Sequence, residues 1–172
     1  MISIEYVKLM AAYTEWQNRS IFRAANSLSD AERRLDRGAF FGSIHATLNH
    51  LLWGDRVWLH RLAGVGELPR QSIEESVALY DDWDELEAGR IETDRALLEW
   101  SNRVTGQDFG GELSWYSGAI SATVSRPRWT LTIQLFNHGT HHRGQVHAML
   151  TSAGARPGDT DVQFMESDHF DW

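Results

Sequence analysis

His138 and His142 lie four residues apart in Leu135-Phe-Asn-His-Gly-Thr-His-His-Arg-Gly-Gln-Val-His147. On a helix, that spacing puts two imidazoles on one face, one turn apart. Two such rings can hold one metal ion but cannot complete its coordination sphere. The chain has no cysteine. The remaining ligands must therefore be histidines, carboxylates, carbonyls or water.

Helical phase sorts the histidines of this segment. With His138 at zero and about 100° per residue, Leu131, Leu135, His142, Val146 and Met149 fall between about 20° and 80°. His142 sits in the middle of that apolar stripe and His138 at its edge. His141 lies about 60° to the other side, and His147 is diametrically opposite His138, which predicts that it faces solvent. Gln145 lies close to the direction of His138 and could reach the same pocket. The plain alternative is a pair of core histidines bonded to backbone or to each other. Burying two neutral imidazoles without partners is costly, however, and a metal satisfies both.

Familiar metal motifs do not fit. A metalloprotease needs Glu directly after its first histidine, and here that residue is Gly139. A di-iron bundle needs repeated Glu-x-x-His pairs, and only Glu166-Ser-Asp-His169 has that spacing. A third ligand is expected from another helix, where His45, His50 and His60 are available. Periodicity does not choose among them. His50 lies off the main apolar stripe, on a nearly uncharged strip with Ala46, Thr47, Trp53, Gly54 and Val57. His45 and His60 read as edge positions.

The elements that must carry these residues are helical. Residues 4–26, 43–63, 76–103 and 130–153 each show apolar periodicity. Ser43 is a candidate N-cap for the second segment, and Gly64, Gly66 and Pro69 break the pattern after it. Ser29-Asp-Ala-Glu32 has capping-box spacing and predicts a short turn. Between the third and fourth helices, residues 109–125 are rich in Gly, Ser, Thr and aromatics. Leu113, Trp115, Ile120, Ala122 and Val124 alternate with small polar residues there, which predicts a β-hairpin turning at Ser117-Gly118. The fold class is therefore all-α, a four-helix bundle with a small hairpin inserted between helices three and four. Residues 1–172 are expected to form one domain.

Composition narrows the partners. Of 172 residues, 42% are hydrophobic, against 16 Lys+Arg and 24 Asp+Glu for a net charge of −8. That charge argues against a nucleic-acid surface. No stretch approaches the ~20 apolar residues of a membrane span, and the N-terminus lacks the order of a signal peptide, so a cytoplasmic protein is expected.

Ser43-Ile-His-Ala-Thr-Leu-Asn-His-Leu-Leu-Trp-Gly-Asp-Arg-Val-Trp58, followed downstream by Phe136-Asn-His-Gly-Thr-His-His-Arg-Gly-Gln145, resembles the DinB family. The order of helices and hairpin resembles it over most of the chain. The resemblance implies a bundle with a three-histidine site for a divalent metal such as nickel, zinc or iron. Carried over by position, the ligands would be His50, His138 and His142. It also implies a homodimer and a small-molecule substrate, with low-molecular-weight thiols used by some relatives. It supplies no reaction.

Three neutral imidazoles would leave open positions on a +2 ion, as in a catalytic site. Such an ion activates water or binds a thiolate, for hydrolysis or thiol transfer. The competing reading is a metal-binding or stress-response protein without turnover. Asp55 falls within the apolar stripe of helix two. It is expected to be buried in a structural salt bridge with an arginine; orientation of an imidazole, or pairing with Arg143, is the functional alternative. Gln145 could bond a metal-bound water, and Trp53, Trp115 and Tyr116 could wall a substrate pocket.

Overall fold

Side-chain caps set the starts of most of the helices. The computed structural model describes residues 2–165, so Glu166 and His169 lie outside the described residues. Helix α1 (Ile4–Ala25) begins where the Ser3 side chain accepts from the Tyr6 amide. Helix α2 (Asp30–Arg34) is the short turn expected from Ser29 and Glu32, which form a reciprocal capping box. Helix α3 (Ile44–Ala63) is capped by Ser43 and stops at Gly64, whose φ of +66° suits a residue without Cβ.

The next helix starts later than periodicity predicts. Helix α4 spans Trp83–Ser101, because the Asp82 side chain accepts from the Glu85 amide and opens the helix there. Ahead of it, Ser72 and Glu75 cap each other through bonds of 2.8 and 3.2 Å. They start a single 3-10 turn, Glu75–Ala78. Ser76 is fully buried in this turn, which packs on α3.

Strands β1 (Glu112–Ser117) and β2 (Ala122–Pro127) pair antiparallel, with Trp115 opposite Val124. The connection is longer than a two-residue turn at Ser117-Gly118, and Ser121 adopts φ 51° within it. Strand β2 runs straight into helix α5 (Arg128–Ser152) at Pro127, whose fixed φ suits a helix start.

The four long helices close a ring: α3 lies against α5 and α4, and α1 lies against α4 and α5. This is the four-helix bundle. Its core has two parts. One joins Ile21, Phe22, Leu48, Leu52, Leu86 and Leu150; the other joins Val7, Leu59, Leu97, Leu131, Leu135 and Phe136. Among the described residues, no helix is long and apolar enough to cross a membrane.

Candidate metal centre

Helices α3 and α5 bring His50, His138 and His142 together. One ring nitrogen from each lies within 4.8 Å of the other two. The ring centroids stand 5.2 Å apart for His50 and His138, 4.8 Å for His50 and His142, and 4.5 Å for His138 and His142. His50 and His142 are buried and His138 is half-buried.

The outer hydrogen bonds of two rings fix their tautomers. Ser76 Oγ donates to the Ile73 carbonyl, so toward His50 it can only accept. His50 Nδ1 therefore donates to Ser76 Oγ, at 2.7 Å, and Nε2 keeps its lone pair. Likewise His142 Nδ1 donates to Gln145 Oε1 at 2.8 Å, leaving its Nε2 as a base. Metal-binding histidines are held in this manner, with the far nitrogen donating outward. His50 Nε2 and His138 Nε2 face each other at 3.2 Å. Two imidazole nitrogens on one tetrahedral zinc, each at about 2.0–2.1 Å, stand about 3.3 Å apart. The group could thus hold a metal ion, and the His50–His138 spacing suits one.

Electrostatics keeps the rings neutral. Burial, reinforced by His138 and His142, pushes His50 down to about 3. Burial also brings His138 down to about 4, against the pull of the Asp55 carboxylate. His142 is lowered by burial as well, with the Gln145 bond opposing. Neutral imidazole is the form that binds metal.

The packing around the cluster is aromatic on one side and minimal on another. The Phe41 ring lies 4.0 Å from that of His50 and 5.5 Å from that of His142, and Trp53 stacks on His50 at 5.5 Å. Opposite His138, helix α3 presents Gly54. A Cβ there would stand 2.5 Å from His138 Cε1, so only glycine lets the ring lie on the helix.

Among the described residues, the other histidines are not part of this group. His141 is exposed and touches only the edge of His142, with ring centroids 4.9 Å apart. His147, expected in solvent, is half-buried beside Tyr13 and Gln17 of α1, because the bundle also covers that side of α5. His45 is buried rather than at an edge, and bonds Asn49 at 3.2 Å. His60 Nδ1 bonds the Gly66 carbonyl at 2.9 Å, securing the loop after α3. Trp115 packs edge-on to Trp58, and Tyr116 is exposed. Of the three expected aromatic walls, Trp53 is the one that lies against His50.

Asp55 is buried and pairs with Arg90 at 2.7 Å. Arg90 also pairs with Asp94 at 2.8 Å, and Asn18 donates to Asp94 at 2.9 Å. Arg143 is buried nearby and donates to Thr140 at 3.3 Å. Ser76, Phe41 and Gly54 are contributors that sequence reasoning did not assign. A serine in an irregular segment carries no periodic signal, and the glycine was read only as part of an uncharged strip.

The DinB family model matches residues 3–169 of this chain. Protein DinB of Bacillus subtilis (strain 168) is 29% identical over 159 residues, which span 87% of this chain and 87% of that relative. No solved structure matches the chain. The chain belongs to the DinB family, and its three-histidine group could hold a metal ion.

Proposed function

We propose that this protein is a divalent-metal-dependent enzyme with His50, His138 and His142 as ligands. Its reaction is hydrolysis or transfer involving a low-molecular-weight thiol. The observation that carries this reading is the pair of outer hydrogen bonds. Ser76 and Gln145 each accept a hydrogen bond from Nδ1 and leave Nε2 its lone pair, in a group whose ligand nitrogens lie within 4.8 Å of one another. A bound divalent ion supplies a Lewis acid that lowers the pKa of water toward ~7 or holds a thiol as thiolate.

The chain's own residues prepare that chemistry. Three neutral imidazoles add no negative charge, so they do not quench the ion's positive charge. Phe41 and Trp53 cover His50 and keep water from its flank. The −8 net charge gives no support to a nucleic-acid substrate.

A second reading is a metal-binding protein without turnover. Its support is that the three imidazoles come from two helices only, α3 and α5, which an ion would clamp together. The test is metal analysis of untagged protein, joined to a panel of esters and thiols. Wild type should carry one equivalent of metal, and His50→Ala, His138→Ala or His142→Ala should lose it. If the triple alanine variant keeps one equivalent, the site assignment is wrong. Turnover abolished by chelation supports the enzyme. A strong chelation-dependent loss of melting temperature without turnover on any substrate supports the second reading.

A further inference from the structure

The three imidazoles differ in one respect. His50 and His142 have acceptors for their outer protons, whereas His138 Nδ1 is buried with no hydrogen-bond partner among the described residues. A buried imidazole nitrogen left so is costly. Two further groups share its surroundings. Asp55 follows Gly54, the residue on which the His138 ring lies. Its Oδ2 accepts from Arg90, which leaves Oδ1. Arg143 sits one residue beyond His142, and its Nη1 is likewise buried without a partner. Asp55 thus leaves the helix beside the His138 ring, Arg143 lies on the helix that carries His138, and the Asp55 carboxylate acts electrostatically on both.

We propose that Asp55 is the positioning residue for His138, holding the Nδ1 proton through one buried water to which Arg143 Nη1 also donates. Such a water has three polar partners, enough to be held in a protein interior. It accepts from His138 Nδ1 and Arg143 Nη1 and donates to Asp55 Oδ1. The arrangement gives His138 what Ser76 gives His50 and Gln145 gives His142, with a carboxylate as the final acceptor. It also explains why the Asp55 carboxylate sits in a buried network beside the cluster. With Nδ1 protonated on His138 as on His50, both facing Nε2 atoms carry lone pairs, an arrangement that favours a cation between them.

This inference rests on the metal-site reading, and zinc is the probe for both. Asp55→Asn is compared with Asp94→Asn. Each weakens one bridge to Arg90, but Asp94 sits on α4, whereas Asp55 directly follows the glycine on which the His138 ring lies. Zinc affinity is measured by chelator competition, and the zinc-loaded wild type is examined by nitrogen-15 NMR. Asp55→Asn should weaken zinc roughly 10- to 100-fold, and Asp94→Asn should leave it within threefold. The wild-type spectrum should show a slowly exchanging Nδ1–H on His138, which reads out the inference even if Asp55→Asn fails to fold. Equal zinc affinities for the two variants, or a His138 Nδ1–H exchanging as fast as a solvent-exposed imidazole, overturns the role of Asp55 alone. Failure of wild type to bind zinc through the three histidines overturns the underlying reading as well.

Discussion

Gly54 shows how much a single missing methyl group can decide. A glycine inside a helix costs about 1 kcal/mol relative to alanine, so α3 gives up stability at this position. In return the His138 ring lies directly on the helix backbone, with Cε1 2.5 Å from where a Cβ would stand. Gly54→Ala is therefore expected to act in two directions. Helix propensity gains up to about 1 kcal/mol, while the His138 ring is forced away from His50. Zinc affinity measured by calorimetry should fall at least tenfold, with helix content by circular dichroism unchanged. The ligand pair was legible in the sequence because His138 and His142 share a stripe on α5. His50 was not legible from phase. Thr47, Leu48, Asn49, His50, Leu51 and Leu52 are all buried, so α3 is covered nearly all round. A helix enclosed in this way has no solvent face against which a histidine can be ranked, and family resemblance supplied the choice.

At the scale of elements, the 3-10 turn Glu75–Ala78 is the part that periodicity misplaced. Leu79, Trp83 and Leu86 repeat at helical spacing and suggest one continuous helix. Spacing alone does not register that Asp82 can cap a helix of its own, nor that Ser72 and Glu75 close a separate turn. That turn carries Ser76 to His50. Ser76→Ala should leave a buried His50 Nδ1–H without an acceptor and free the other tautomer. The expected result is a 10- to 100-fold loss of zinc affinity by chelator competition, with bundle and hairpin intact. The long helices themselves are readable within a few residues, apart from the start of α4, and in α1 and α3 the caps at Ser3 and Ser43 coincide with the onset of apolar periodicity. The hairpin was readable from its alternation.

Across the whole molecule, a polar seam runs through the bundle. Asn18 on α1, Asp55 on α3, Arg90 and Asp94 on α4, and Arg143 on α5 are all buried. The seam holds two acidic and two basic side chains. Acidification bears on the histidines of the cluster. In metal-free protein His50 and His138 stay neutral down to about 3 and about 4, whereas unfolded histidines titrate near pH 6.5. Over that interval the unfolded chain takes up protons that the folded chain refuses. Their stabilisation is full above about pH 6.5 and is lost as pH falls toward 4. Asp94, raised by burial to about 6 from 3.8, works in the opposite sense below about 6, but as one group against His50, His138 and the likewise lowered His45 and His142. The melting temperature of chelator-treated protein should thus fall from pH 7 to pH 5 in calorimetry, and His50→Gln with His138→Gln should flatten the profile. The seam and the cluster also share a topology. His50 and His138 are 88 residues apart in the chain, and α4 and both strands lie between them. Their meeting is a contact of high sequence separation, with a correspondingly large cost in loop-closure entropy. The three-nitrogen site therefore exists only once α3 and α5 have met, and metal uptake during refolding should keep time with that meeting.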